Sequence, residues 1–404
     1  MNGSARLERN YIEQGMRNRV LILSNKLPYP CNDGSSIAMA RLLETLVMKE
    51  LDIHYFAINT DKHFKDVHRS IKKLPSVQFE SFDWNTSPKI SSAIGNLMTK
   101  SPYHVSRFYI PLLLHRLRQL ENNSFQTVIL EGAFMGMYVN EAMRIGGQTI
   151  LRAHNVEHEI WKRLAENEKN PLKRWYLTLQ SGRLNRFESQ LSQAVDQVWC
   201  ISEKDQEWFQ SLTPAASFIP TAVLPKPGPS HIQPLRCHHL GALDWAPSIQ
   251  GLQWFMTEIW PQVLKRVPQA EFHIAGNNPP KNFQFPKDQN IFFHGRVADA
   301  TAFTHEHGIS VIPLLAGSGM RIKILQNSAA SVPSISTAIG AEGIYTKDST
   351  EAIIVDSAPE FIEALVELVQ QPERALALGQ KAQEDILNRF GMQPTLRRIE
   401  KVWS

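Results

Sequence analysis

The chain has 404 residues, of which 43% are hydrophobic and 20% charged, a composition typical of a globular protein long enough for two domains. Its net charge of +4 is too small to indicate a nucleic-acid-binding protein, although it suits anionic substrates or an anionic membrane surface. The three cysteines, Cys31, Cys200 and Cys237, are scattered and favour neither a disulfide framework nor a structural zinc site. A reducing, cytoplasmic compartment is the simplest interpretation.

The first half of the chain alternates short apolar runs with helical periodicity. Residues 1–18 are polar and lack the apolar core of a signal peptide, so we expect a flexible N-terminal tail. The run "RVLILS" predicts a buried strand at 19–24, a helix is predicted at 37–49, and "DIHYFAIN" predicts a strand at 52–59. This β–α–β order implies a parallel sheet. Later elements of this half are strands at 127–132, 149–155 and 197–202 and a long helical region at 157–193.

A proline-dense stretch separates this half from the next. Proline can continue neither a helix nor a central strand, so we interpret residues 220–235 as an interdomain linker. A long surface loop within one domain is the alternative. The sequence predicts Rossmann-like domains at 19–219 and 236–390, followed by a helix at 391–404 that could cross back to the first domain. Ligands of such sheets bind at the carboxyl ends of the strands, so we expect the site in a cleft where the two domains face each other.

One strand-to-helix turn in the second half has the character of an anion site. The strand in "GISVIPLL" leads through "AGSG" into the helix "MRIKILQNSAA". Arg321 and Lys323 lie at the start of that helix, where positive charge is unfavourable unless an anion offsets it. A surface helix with solvated charges is the alternative. The dinucleotide pattern GxGxxG is incomplete because its last position is Ile322, and no Walker A loop occurs.

The stretch "PLLAGSGMRIKILQNSAASVPSISTAIGAEGI" resembles the nucleotide-sugar segment of the family-four glycosyltransferases, which have the GT-B fold. Three other stretches resemble further parts of that family: "GALDWAPSIQGLQWFMTEIWPQVLKRVPQAEFHIAGNNP", "RAHNVEHEIWKRLA" and "LPYPCNDGSS". The resemblance extends in patches from about residue 19 to 403 and is more specific in the C-terminal half. It implies a fold of two doubly wound α/β domains that face each other across a cleft.

The resemblance also implies residue roles around the donor. Arg321 and Lys323 would clamp the leaving diphosphate, and the backbone around Arg296 and Val297 would meet the nucleobase. Asn277 would lie near the same pocket. The backbone amides expected to hold the diphosphate belong to Gly317, Ser318 and Gly319. The residues expected to face the phosphate and sugar from the first domain are Gly34 and Ser35.

The same resemblance implies roles for three further residues. Gln326 stands where the family usually has a glutamate that binds the ribose, which implies an altered donor or a weakened enzyme. His154 would contact the donor sugar or the acceptor; the alternative is a structural, hydrogen-bonded histidine. Glu342 would lie near the sugar, and a helix-capping role is the alternative.

The chain contains no DxD motif, so we expect a metal-independent enzyme in which cations and a helix dipole stabilise the leaving diphosphate. No cofactor is expected, and the histidine spacings give no zinc pattern. The basic, aromatic segment at 162–186 could lie on an anionic membrane that carries a lipid-linked acceptor. A solvated helix face is the alternative that we favour.

The sequence predicts a glycosyltransferase, and the family resemblance implies that it retains the anomeric configuration. It would move a sugar from a nucleoside-diphosphate sugar to a hydroxyl of a glycan, a lipid-linked glycan or a similar acceptor. The first alternative is a catalytically weakened homologue that binds nucleotide sugars or acts as a partner subunit. The second is an epimerase or a phosphorylase on a similar scaffold, although neither signature occurs. The sequence leaves the base, the sugar and the acceptor open.

Overall fold

The computed structural model describes residues 18–403, apart from 32, 62–63, 167, 242, 244–245, 281–282, 287–288 and 317–320. The chain divides into two compact units: the first runs to Thr221 and includes the residues from Leu396 onward, and the second is Ala222–Thr395. The tail predicted at 1–18 lies outside the described residues except for its last position. No helix within the described ranges is both long and apolar enough to cross a membrane.

The first unit is built on a parallel sheet of seven strands in the order β3-β2-β1-β4-β5-β6-β7. Because β1 lies between β2 and β4, the strand order reverses at β1 and β4, which is where ligands bind in such sheets. The strands are β1 Arg19–Ser24, β2 Asp52–Thr60, β3 Val77–Trp84, β4 Phe125–Glu131, β5 Gly146–Ala153, β6 Gln197–Cys200 and β7 Ala216–Phe218. No apolar run predicts β3, because its side chains are largely exposed or half-buried.

Helices cover both faces of this sheet, whose central strands are apolar on both sides. They are α1 Gly34–Val47, α2 Val67–Lys73, α3 Ile90–Asn96, α4 Tyr103–Ser106, α5 Pro111–Arg118, α6 Val139–Ile145, α7 Glu157–Glu166, α8 Pro171–Ala194 and α9 Glu203–Gln210. A 3-10 helix occupies Ala133–Tyr138.

The long helical region predicted at 157–193 is wrong as a single element. The side chain of Asn170 accepts hydrogen bonds from the backbone of Leu172 and Lys173, and Pro171 occupies the first helical position. Both features favour a helix start: the asparagine side chain accepts from backbone amides of the first turn that have no helical partner, and proline carries no amide hydrogen that would need one. The chain therefore turns between α7 and α8.

The C-terminal residues from Leu396 onward pack on the first unit. Ile399 is buried in its core, and the indole of Trp403 meets Trp199 edge-on with ring centroids 5.7 Å apart. The Trp403 Nε1 donates to Thr127 Oγ1 at 3.0 Å. The last helix thus covers apolar surface that the central strands would otherwise expose.

The second unit has a parallel sheet of six strands in the order β10-β9-β8-β11-β12-β13. Its strands are β8 Arg236–Leu240, β9 Glu271–Ala275, β10 Ile291–Phe293, β11 Ile309–Ile312, β12 Ser334–Ser336 and β13 Ile353–Ile354. Its helices are α10 Ala246–Trp254, α11 Trp260–Arg266, α12 Ala300–Glu306, α13 Ile322–Ala329, α14 Ala358–Gln370, α15 Pro372–Phe390 and the start of α16 Met392–Val402. The order reverses at β8 and β11, so the residues after these two strands mark its ligand-binding edge.

The stretch 249–267 has the apolar periodicity of one helix, but the structure interrupts it. A π-helical segment, Phe255–Ile259, separates α10 from α11. Pro261 lies at the start of α11 and lacks the amide hydrogen that a continuous α-helix would need there. A local change of hydrogen-bond register accommodates the proline without ending the helical path.

Candidate functional site

The amine of Lys323 lies against the backbone of Gly241. Lys323 is in the first turn of α13, which follows β11, and Gly241 directly follows β8. A β-carbon at Gly241 would lie 2.4 Å from Lys323 Nζ and 3.2 Å from His239 Nε2. The absence of a side chain at this position therefore creates the space that the amine occupies. Both residues stand where the strand order of the second unit reverses.

The surroundings of Lys323 tune its charge. Burial, reinforced by the nearby Arg321 guanidinium, lowers the pKa of Lys323 to about 8. Burial and the Lys323 amine hold the pKa of His239 well below its usual range, so its ring is neutral. His239 Nδ1 lies 2.9 Å from the carbonyl oxygen of Val311, which can only accept, so this nitrogen carries the hydrogen. The arrangement offers an ammonium donor to an anion that reaches the ends of β8 and β11.

Arg321 is held by the segment that follows β12. It precedes α13, and its Nε donates to the Ile339 carbonyl oxygen at 3.0 Å. Its Nη2 lies 3.6 Å from Glu342 Oε2, so the structure brings two predicted site residues together. Gln326 lies three residues after Lys323 and is half-buried. This spacing places Gln326 and Lys323 on neighbouring positions of one helix face.

A cavity of about 400 Å³ opens at the ends of β9 and β10. Asn277 and Arg296 line it together, and Val297 follows just beyond this lining. Gly276 joins the cavity to the Lys323 region, because a β-carbon at Gly276 would lie 2.0 Å from the Gly241 carbonyl oxygen. Asn277 and Arg296, predicted to meet the nucleobase, and Lys323, predicted to contact the diphosphate, therefore lie along one continuous edge of the sheet.

The three residues predicted to hold the diphosphate through their amides are Gly317, Ser318 and Gly319. They lie outside the described residues. The described chain ends at Ala316 on one side of this turn and resumes at Arg321 on the other.

In the first unit, His154 belongs to a buried hydrogen-bonded network. His154 follows β5, and its Nε2 lies 2.5 Å from Oε2 of Glu131, the last residue of β4. Arg152 Nη1 lies 3.2 Å from Glu131 Oε1 and donates to the Ala38 carbonyl oxygen of α1 at 3.1 Å. All three side chains are at least nine-tenths buried. The network links the ends of β4 and β5 to α1.

The charge state of this network follows from its members. Burial pushes the pKa of Glu131 upward, but the Arg152 guanidinium and the His154 hydrogen bond outweigh it and keep that pKa low. Burial lowers the pKa of His154, and the Glu131 carboxylate only partly offsets this effect. A neutral His154 therefore donates its Nε2 hydrogen to an ionised Glu131. Its Nδ1 is left as a hydrogen-bond acceptor.

Gly34 and Ser35 form the start of α1. Asp33 caps this helix by accepting from the Ser36 backbone amide at 2.8 Å, and Lys26 Nζ lies 2.8 Å from the same carboxylate oxygen. Arg152 contacts the next turn of α1 through Ala38. The structure thus places Gly34 and Ser35 on the helix that the Glu131 network supports.

Four residues of these arrangements are absent from the sequence-based site: Gly241, His239, Glu131 and Arg152. Glu131 and Arg152 had a visible signal, because each is a charged residue within the carboxyl-terminal part of an apolar strand, in "VILEG" and "TILRAHN". Gly241 directly follows the run "CHHL" of β8. Its importance depends on the lysine from a distant segment, which no local pattern reveals.

Comparison with known proteins finds a family match within the second unit. Residues 235–371 match the family described as glycosyl transferases group 1. This segment is similar to that family. It contains β8 through α14, and with them Gly241, Lys323 and the 400 Å³ cavity. The family predicted from the sequence is therefore confirmed for the second unit.

A curated relative and several solved structures extend the similarity over nearly the whole chain. An uncharacterized 44.6 kDa protein from the cps region of Klebsiella pneumoniae is 21% identical over 358 residues, which cover 86% of this chain and 90% of that protein. TarM from S. aureus, in complex with fondaparinux, alpha-GlcNAc-glycerol and UDP, has a TM-score of 0.67 at 11% identity, over 95% of this chain and 99% of its own.

Two further structures contain nucleotide sugars. Anabaena HepE in complex with UDP-glucose has a TM-score of 0.60 at 12% identity, over 95% of this chain and 98% of its own. An E. coli structure described as trehalose-6-phosphate bound with UDP-2-fluoro glucose has a TM-score of 0.62 at 13% identity, with the same coverage. At these identities the similarity shows the fold. The chain has the GT-B fold, as the sequence predicts.

Proposed function

We propose that this chain transfers a sugar from a UDP-sugar to a hydroxyl group of a glycan or lipid-linked glycan. The observation that carries the proposal is the Lys323 amine against Gly241, at the point where the strand order of a group 1 glycosyl transferase domain reverses. UDP is favoured because TarM, HepE and the E. coli structure contain UDP or a UDP-sugar.

The donor would lie along the edge of the second unit's sheet. Its diphosphate would contact Lys323 and Arg321, and its base would enter the cavity lined by Asn277 and Arg296. Gln326 would donate to or accept from the ribose hydroxyls, without the charge of the usual glutamate. The two fixed cations would stabilise the negative charge that develops on the leaving diphosphate, so the proposed reaction needs no metal ion.

The proposed reaction retains the anomeric configuration. The bond between the anomeric carbon and the β-phosphate oxygen breaks, and a bond to the acceptor oxygen forms on the same face. The acceptor proton passes to the leaving phosphate, and UDP is the second product. Neutral His154 would accept a hydrogen bond from a sugar hydroxyl through Nδ1, while Glu131 keeps its ring in that tautomer.

A thermal-shift screen with UDP-, GDP-, ADP- and TDP-sugars tests donor binding, because a ligand of the native state raises its apparent stability. We expect a shift with one UDP-sugar that Lys323→Ala abolishes. Release of UDP in the presence of acceptor tests transfer. Binding without UDP release from any acceptor would support the nucleotide-sugar-binding alternative, and a lack of binding to every nucleotide sugar would refute the proposal.

The sequence alone favours a solvated helix face at 162–186, but the exposure of large apolar side chains leads us to propose that the turn between α7 and α8 contacts an anionic membrane. Leu164, Leu172 and Trp175 are exposed there by 52%, 77% and 57% of their surfaces. Residues 162–175 carry five basic side chains and only two acidic ones. Exposed apolar side chains among basic residues suit insertion into an anionic lipid surface, where a lipid-linked acceptor would lie.

Sedimentation with vesicles tests this contact. The protein should bind vesicles of phosphatidylglycerol and phosphatidylcholine but not phosphatidylcholine alone, and the double variant Leu172→Ser, Trp175→Ser should lose binding. Leu112→Ser is a matched control, because Leu112 is exposed on α5, outside this turn. Equal binding by the double variant and the unchanged protein would contradict the proposal.

A further inference from the structure

Histidines form a layer on one face of the second unit's sheet. His238 on β8 is the register neighbour of His273 on β9, and His294 directly follows β10. His307 ends α12 and stacks on His273 with ring centroids 3.8 Å apart. His273, His294 and His307 each present one ring nitrogen, and these three atoms lie within 4.8 Å of one another.

A carboxylate orients the central ring of this group. His273 Nε2 lies 3.2 Å from Glu271 Oε2, and Arg236 Nε donates to the same oxygen at 2.8 Å. Because an ionised carboxylate can only accept, His273 Nε2 carries the ring hydrogen. The Nδ1 lone pair of His273 is then directed at His294 Nε2, 3.0 Å away. Carboxylate–histidine pairs of this kind fix metal-ligating rings in many proteins.

The distances suit a transition-metal site. Zinc–nitrogen bonds of about 2.0–2.1 Å in a tetrahedral site place the ligand nitrogens about 3.4 Å apart. The 3.0 Å between the His273 and His294 nitrogens is close to this value. The His307 nitrogen lies at most 4.8 Å from either of these atoms. It therefore has to move by about 1 Å to reach the spacing of a tetrahedral site.

His307 is an independent indication of a ligand. It is 4% exposed, and its buried Nδ1 makes no hydrogen bond within the part of the chain that the structure describes. His294 is exposed and gives an ion access from solvent. Water would then take the fourth position.

We propose that His273, His294 and His307 bind one divalent transition-metal ion, with zinc as the expected ion. Three imidazoles favour zinc, copper or nickel over magnesium and calcium, which prefer oxygen ligands. The ion ties together β9, the segment after β10 and the end of α12. His294 precedes Gly295 and Arg296 of the 400 Å³ cavity, so the ion also secures one border of that cavity. The inference does not depend on the proposed transfer reaction.

Zinc retention and thermal stability test the site. Chelator-treated full-length protein is incubated with zinc chloride, passed through a desalting column and assayed for metal content, and its unfolding midpoint is compared with and without zinc. We expect one zinc per chain and a higher midpoint. His294→Ala, at an exposed position, should lower the affinity at least about tenfold, and Glu271→Gln about 10- to 100-fold by freeing the His273 ring.

His305→Gln is the matched control, because His305 lies on α12 near the group but bonds to the Ala330 carbonyl oxygen instead. It should keep the zinc and the midpoint shift. Cobalt substitution adds a readout of geometry, since a tetrahedral site gives intense visible absorption that His307→Gln should abolish. Failure of the unchanged protein to retain zinc, or equal retention in the His294→Ala and His307→Gln variants, would overturn the proposal.

Discussion

Replacing Gly241 with alanine should displace the Lys323 amine without removing its charge. The new methyl carbon would lie 2.4 Å from Lys323 Nζ, whereas ordinary contacts begin near 3.4 Å, so the amine must move by about 1 Å. Moving a cation from about 3 to 4 Å from a phosphate charge costs about 1.4 kcal/mol at an effective dielectric constant of about 20. That is a tenfold loss for each unit of charge. For a diphosphate we expect kcat/KM to fall about 10- to 100-fold.

The fold should tolerate this change, because the displaced atom is the end of a flexible side chain. We expect the unfolding midpoint to change little. Gly182→Ala in α8 is a control, since its methyl group meets nothing within 4 Å, and it should keep full activity. The measurement is UDP release as a function of donor concentration.

A double variant tests whether the displaced Lys323 amine causes the loss of activity in Gly241→Ala. If the displaced amine accounts for the loss, adding Gly241→Ala to Lys323→Ala should cause no further decrease. Full activity in Gly241→Ala, or a further large loss in the double variant, would refute the role given to the contact between Lys323 and Gly241.

Three further outcomes follow from the charges. Because burial and Arg321 lower the pKa of Lys323 to about 8, the amine loses its proton above that pH; kcat/KM should fall about fivefold from pH 8 to 9, and Lys323→Arg should remove this fall. Burial, with the nearby Glu188, raises the pKa of Glu157 to about 8, so the folded state loses stability as the pH rises from about 4.5 to 8. Glu157→Gln should abolish that loss and raise stability at pH 7 by about 1–3 kcal/mol in urea titrations, and an unchanged pH dependence would contradict this. Glu131→Gln should cost about 3–5 kcal/mol by leaving the Arg152 cation buried, with much of the loss recovered by also introducing Arg152→Met; a neutral single variant would contradict this.

Local patterns determined most of the architecture. Apolar runs predict the central strands of the first unit and β11 of the second, because buried parallel strands are continuously apolar. Proline and capping residues also act through neighbours in the chain. Asn170 and Pro171 divide a helical region whose periodicity alone suggests one helix. The edge strand β3 escaped detection because its side chains are mostly not buried.

The sequence by itself also determined the family and the segment that contains Arg321 and Lys323, since these depend on residues adjacent in the chain. Only the tertiary structure decided which residues meet. Lys323 reaches Gly241 because β8 and β11 are neighbours, and Glu131 reaches His154 because β4 and β5 are neighbours. The histidine group is assembled from β9, the end of β10 and the end of α12. Strand order joins segments that are distant in sequence, and neither the spacing nor the composition of any one segment carries that information.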